Sequence, residues 1–239
     1  MKLSRQLDPC IFSTSEIAAR IDHAVLRPWS TRDELERAIE ELERLNLRCL
    51  ILSPTLLYEA RSLTRKCLGA VAGFPYGYHT VEAKIKEVED LIAMGADEID
   101  FVANLQLALL GKMNQYVNEI KAVTTICRDA NLKCKIIVEA PALSPLLLQK
   151  VVAAIVESTE PDYIKTSTGF GPRHTILDDV ILIDRVLREK NVRSRIGIKA
   201  AGGIRQGLQA SILLQLGADI IGTSTPSKII ESYKEACAK

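Results

Sequence analysis

The chain has 239 residues, 47% of them hydrophobic, so one large core is possible; the length suits a (β/α)8 barrel and also permits two small domains. Lysine plus arginine number 31 against 30 aspartates and glutamates, and the formal net charge of +1 removes any global electrostatic case for nucleic acid or an anionic membrane. The start, Met1 to Asp8, lacks the apolar run of a signal peptide, no stretch is long and uncharged enough to span a bilayer, and a cytoplasmic location is expected from these missing signals.

Eight short apolar runs read as strands: Ile21 to Leu26, Arg48 to Leu52, Leu68 to Gly73, Glu98 to Val102, Lys135 to Glu139, Tyr163 to Thr166, Gly197 to Ala200 and Asp219 to Thr223. Runs apolar on both faces suit a parallel sheet covered on each side. Amphipathic helices fall between them. Leu35, Ala38, Ile39, Leu42 and Leu45 form one stripe behind the capping-box pattern Thr31-Arg32-Asp33-Glu34. Val81, Ile85, Val88 and Ile92 form a second, stopped by Gly95. Ser144-Pro145 is an N-cap followed by proline at the first helical position. Ile176, Val180, Ile183 and Leu187 form a further stripe. The segments Gly95-Ala96-Asp97-Glu98-Ile99 and Gly217-Ala218-Asp219-Ile220-Ile221 share G-A-D-x-I ahead of the fourth and eighth runs, half a barrel apart. No linker divides the chain. The reading is α/β: a single-domain (β/α)8 TIM barrel, with an N-terminal extension and helix over 1–20, the barrel strands within 21–225 and a C-terminal helix over 226–239.

Cys10, Cys49, Cys67, Cys127, Cys134 and Cys237 are scattered without C-x-x-C, and read as free thiols of a reducing compartment. His23, His79 and His174 are far apart in sequence, so no metal-ligand spacing is visible, and neither a metal nor another cofactor is expected.

The chemistry concentrates in two lysines, each ending a hydrophobic strand: Lys165 in Tyr163-Ile164-Lys165-Thr166-Ser167-Thr168-Gly169 and Lys199 in Ile196-Gly197-Ile198-Lys199-Ala200-Ala201-Gly202-Gly203. Burial and a neighbouring cation both lower a lysine's pKa and expose a neutral amine, the form that attacks a carbonyl. The resulting iminium withdraws electrons from the adjacent carbon, and an acid/base such as Asp100 can then move protons or let a carbon–carbon bond break. Charge alone leaves open which lysine carries the imine. Asp100 equally suits a helix cap, Asp22 a turn, and His23 a core position. Gly202-Gly203 and Gly222-Thr223-Ser224-Thr225 follow the seventh and eighth strands, where barrels of this kind cradle phosphate, so a small phosphorylated substrate is expected.

Together these segments resemble the deoxyribose-phosphate aldolase family. The family patterns I-D-H-T-L-L-K-P, G-F-P-x-G, G-A-D-E-[IV]-D-x-V, K-T-S-T-G-F, K-x-x-G-G-[IV]-R and G-[TA]-S-[ST] are matched, in order, by the segments that begin at Ile21, Gly73, Gly95, Lys165, Lys199 and Gly222. The resemblance implies a metal-free class I aldolase that reversibly cleaves 2-deoxy-D-ribose 5-phosphate to D-glyceraldehyde 3-phosphate and acetaldehyde. It implies Lys165 as the Schiff-base nucleophile, Lys199 as the cation that lowers its pKa and joins a proton relay, and Asp100 as general acid/base. Gly169, Gly202, Gly203, Ser224 and Thr225 fall on substrate- and phosphate-binding positions, and Asp22 on one that orders the sugar end. A homo-oligomer, specifically a dimer, is expected by resemblance only.

The chain departs from the pattern at several positions. Ala24 replaces a threonine, Arg27 a lysine, and Pro226 follows Thr225 where glycine is common. Gly171-Pro172-Arg173-His174 is stiffer and more basic than usual, so Arg173 or His174 is expected to supplement the phosphate site. Ile51-Leu52-Ser53-Pro54 stands where many members have C-x-x-P, which removes a cysteine able to trap aldehydes. Two other readings stay open: a related Schiff-base aldolase or transferase with another phosphorylated keto or aldehyde substrate, and a barrel that binds sugar phosphate without catalysis.

Overall fold

The computed structural model describes residues 7–238; the first six residues, which belong to the segment read as lacking a signal peptide, and Lys239 lie outside them. Eight parallel strands close into a barrel in sequence order: β1 Ile21–Val25, β2 Cys49–Leu52, β3 Leu68–Ala72, β4 Glu98–Val102, β5 Lys133–Ile137, β6 Tyr163–Lys165, β7 Gly197–Ala201 and β8 Ile220–Thr223. A short helix α1, Thr14–Ala18, precedes β1. The main connecting helices are α2 Arg32–Arg44, α3 Pro54–Ala60, α4 Val81–Ala93, α5 Leu105–Leu109, α6 Met113–Asp129, α7 Pro145–Ser158, α8 Leu177–Glu189 and α9 Gly207–Gln215, and α10 Pro226–Cys237 follows the last strand. No helix among the described residues is long and apolar enough to cross a membrane.

Strand alternation separates two interiors. Outward residues such as Leu50, Leu52, Ile99, Phe101, Ile136, Ile164, Ile198 and Ile221 join the helices in the main hydrophobic core. Inside the barrel the apolar filling is small, with Cys49, Ile51 and Val71 as a separate cluster. Several other inward positions hold charge. On β4 these are Glu98 and Asp100, and parallel register sets Asp100 opposite Lys135 and Lys165 opposite Lys199.

Local signals read from sequence recur as geometry. The Thr31 hydroxyl accepts from the Glu34 N–H and the Thr31 N–H donates back to the Glu34 carboxylate. Ser144 caps α7 ahead of Pro145. The α4 stripe is rotated from expectation: Lys84, Val88 and Leu91 are buried, because Lys84 Nζ reaches Glu119 at 2.7 Å and lies over the Phe101 ring. A long aliphatic stem with a paired head behaves as a core residue.

Four cysteines correct the free-thiol reading. Cys10 is bonded to Cys237 and Cys49 to Cys67, while Cys127 and Cys134 are free and buried. Neither pair has a sequence signature: the first joins chain ends 227 residues apart, and the second spans the start of β2 and the residue before β3. Cys49, Cys67 and Glu98 lie within metal-ligand range of one another, but both sulfurs are committed to the disulfide.

Candidate active site

Lys165 ends β6 and Lys199 lies beside it on β7, so both ammonium groups enter the barrel from adjacent strands. They meet over one carboxylate. Lys165 Nζ donates to Asp100 Oδ2 at 2.7 Å, and Lys199 Nζ donates to the same oxygen at 2.6 Å. Lys199 Nζ also stands 2.6 Å from Asp22 Oδ2. All four side chains are buried.

The column continues toward the N-terminal end of the barrel through groups that the sequence reading passed over. Lys135 lies 3.1 Å from Asp100 Oδ1 and is bonded to Glu98. Arg48 closes the column. It donates Nε–H to Asp22 Oδ1 at 2.5 Å, and its two terminal nitrogens donate to Glu98 Oε1 at 2.7 Å and Oε2 at 2.5 Å. A signal existed: Glu98, Asp100 and Lys135 share the inward parity of their strands, and a charged inward residue in a barrel needs a partner.

This arrangement separates the lysines electrostatically. Burial pushes Lys165 down; Asp100 pulls it back, Lys199 and Lys135 repel its charge, and it comes to about 8. Lys135 moves the other way, since Asp100, Asp22 and Glu98 together outweigh its burial. For Asp100, burial is overcome by Lys135, Lys165 and Lys199, which hold the carboxyl well below its usual range. Lys165 is therefore uncharged in a useful fraction at neutral pH.

Above the amines opens a cavity of about 700 Å³, lined by Lys165 and Lys199 on one side and by Gly169, Gly202, Gly203 and Ser224 on the other. Asp22 and Asp100 lie beneath its floor. Thr225 sits behind the lining as the N-cap of α10, its N–H donating to Thr223 Oγ1. Gly203 has φ +80, and a Cβ there would fall 2.3 Å from the His174 ring, so glycine is required twice over. Gly202, at φ +97, would place a Cβ 2.7 Å from Ser167 Oγ. The loop after β6 is held by Glu139, whose carboxylate accepts from the Thr168 N–H at 3.0 Å and from its hydroxyl at 2.5 Å. Thr166 and Thr175 hydroxyls both donate to the Ala201 carbonyl, tying this loop to β7.

Of the two side chains expected to supplement the phosphate site, only His174 lines the cavity. Arg173 is turned away, with both terminal nitrogens bonded to Asp179 at 2.7 Å. The acidic first turn of α8 captures it, a local ion pair that the sequence reading did not weigh.

A family model described as DeoC/LacD family aldolase matches residues 17–213, a span holding the barrel from before β1 through most of α9. The chain belongs to the DeoC/LacD aldolase family. Among relatives of this DeoC/LacD aldolase, a deoxyribose-phosphate aldolase of Bacteroides thetaiotaomicron is 37% identical over 226 residues, covering 93% of this chain and 92% of the relative. A solved structure described as a unique tetrameric structure of deoxyribose phosphate aldolase from Aeropyrum pernix is 29% identical with a TM-score of 0.86, covering 94% of this chain and 93% of that one. Another, described as "QR15, an Aldolase", is 33% identical with a TM-score of 0.85, covering 93% of this chain and 99% of its own. Within the DeoC/LacD aldolase cavity, Ala24, Arg27 and Ile51, three departures noted from sequence, all contribute to the wall.

Proposed function

We propose that this DeoC/LacD aldolase reversibly cleaves 2-deoxy-D-ribose 5-phosphate to D-glyceraldehyde 3-phosphate and acetaldehyde through an imine on Lys165. The observation that carries the reading is the shared Asp100 carboxylate beneath two buried lysines of which one, Lys165, is held near pKa 8. Relatives at 37% and 33% identity, both deoxyribose-phosphate aldolases, point to the substrate.

The neutral Lys165 amine adds to C1 of the open-chain sugar, and loss of water gives the iminium. Removing the C3 hydroxyl proton breaks the C2–C3 bond; its electrons flow into the iminium, D-glyceraldehyde 3-phosphate leaves, and an enamine remains. Protonation at C2 and hydrolysis release acetaldehyde and restore the amine. Asp100 is fully buried behind both amines, so it exchanges protons with substrate through Lys199 or a cavity water. Gly202 and Gly203 offer backbone N–H groups and Ser224 a hydroxyl to the phosphate; Gly169, whose N–H is taken by Ser167 Oγ at 2.9 Å, lines the cavity beside them, Thr225 shapes the cradle from behind and Asp22 orients Lys199 from below.

The protein is further proposed to be a homo-oligomer, in line with the relative described as tetrameric. A cytoplasmic location is likewise proposed, in keeping with a charged substrate that cells retain. Turnover of 2-deoxy-D-ribose 5-phosphate, read by coupled reduction of the triose phosphate, tests the assignment. Activity lost in Lys165→Ala supports it. Full activity in that variant, or cleavage only of other phosphorylated aldehydes or ketones, overturns it.

A further inference from the structure

The buried column can be counted. Its carboxylates are Asp22, Glu98 and Asp100; its cations are Arg48, Lys135, Lys165 and Lys199. Unbalanced buried charge is costly, so with three carboxylates for four basic groups one amine holds its proton least firmly. Contacts decide which amine that is. Lys135 lies against Glu98, Asp100 and, at 4.0 Å, Asp22; Lys199 lies against Asp22 and Asp100; Lys165 has Asp100 alone. Arg48 cannot surrender its proton, so it fixes the count from the far end of the column.

Among the described residues, the other charges near the column have partners of their own, and Lys133 feels Glu98 only as a minor influence beside Asp162. β3 and β8 carry no ionisable side chain. From β6, Tyr163 faces Arg48 with a hydroxyl that burial pushes up and keeps neutral. His23 on β1 turns toward Glu41, 3.7 Å away, and Glu139 beyond β5 is engaged by Thr168. Lys133 pairs with Asp162 and Asp219 with Arg193 on the outer rim.

We propose that Arg48 is a positioning residue for the aldolase chemistry: its fixed charge completes the balance with Asp22, Glu98 and Asp100, leaving Lys165 as the amine that gives up its proton most readily. The proposal rests on the reading that Lys165 forms the imine. Arg48 lies at the end of the barrel opposite the cavity and does not line it, so its effect travels through Glu98 and Asp22.

The test is the pH dependence of borohydride trapping of acetaldehyde on Lys165 in folded protein. In the unmodified protein the midpoint is expected near 8. Arg48→Met leaves excess negative charge, so Lys165 holds its proton more tightly and the midpoint rises by at least about one unit, a loss of about tenfold in trapping rate at pH 7. Glu98→Gln does the opposite and lowers the midpoint. The double variant restores the count and returns the midpoint close to the starting value, and Arg48→Lys, which keeps the charge, leaves it in place. Should Arg48→Met fail to fold, Glu98→Gln and Arg48→Lys decide the matter. Midpoints that stay put in Arg48→Met or Glu98→Gln, or move in the same direction in both, overturn the proposal while the imine stands. An unmodified protein with no label on Lys165 overturns the imine assignment instead, and this proposal with it.

Discussion

Replacing Lys199 by methionine removes a cation that repels charge on Lys165 and also claims part of the shared Asp100 oxygen. Both changes favour the protonated form of Lys165. Its pKa then climbs from about 8 toward the ordinary lysine value of 10.5. At pH 7 a group of pKa 8 is neutral about one-tenth of the time, and one of pKa 10.5 about once in 3,000, so the ceiling on lost imine formation is roughly 300-fold and a one-unit shift costs about tenfold. Trapping acetaldehyde with borohydride isolates this step, because no carbon–carbon bond breaks in it. Lys199→Met is expected to lose between about tenfold and 300-fold at pH 7 and to recover most of that loss near pH 10. A loss that is uniform with pH, with the midpoint still near 8, would show that Lys199 moves protons in the reaction without setting the state of Lys165.

Three further outcomes are expected. The folded-state pKa of Lys165 lies below the unfolded value, so the unfolded chain binds the extra proton between about 8 and 10.5; stability rises with pH across that window, and below it the lysine costs up to about 3 kcal/mol. Lys165→Met is therefore inactive yet more stable at pH 7 by about 1–3 kcal/mol in urea unfolding, and a less stable variant would contradict the burial argument. Ile51 lines the cavity where a cysteine would trap aldehyde, so activity should survive prolonged acetaldehyde exposure and Ile51→Cys should not; inactivation of the unmodified protein through an adduct on another thiol would refute this. Cys10→Ser opens a bond that closes almost the whole chain, and is expected to cost about 2–5 kcal/mol in thermal unfolding under non-reducing conditions while leaving initial rates intact. An unchanged melting temperature would deny the bond a stabilising role.

The barrel was legible because its signals are local. Each strand is a short apolar run, and caps such as Thr31 and Ser144 announce helices through neighbours three residues away. The β5 boundary shifted by two residues, from Lys135 to Lys133, because hydrogen bonding begins at a solvent-exposed lysine that an apolar pattern does not include. The lysine pair and Asp100 were legible for their chemistry, but the lower half of the column was not. Arg48 precedes its strand and Lys135 looks like a strand edge, and only closure of the barrel brings them to Asp22 and Glu98. The disulfides were missed for the same reason: spacing in sequence says nothing about Cys10 and Cys237 meeting at 5.5 Å between Cα atoms. Between Arg173 and His174 the sequence could not choose, because composition registers a basic loop but not the Asp179 carboxylate that claims Arg173.

The most direct test of the central claim is borohydride reduction in the presence of acetaldehyde, followed by peptide mass mapping. The account predicts an ethyl group on Lys165, the amine with Asp100 as its single carboxylate partner. An ethyl group on Lys199 would reverse the two roles, and unlabelled lysines in folded protein would contradict the imine chemistry altogether.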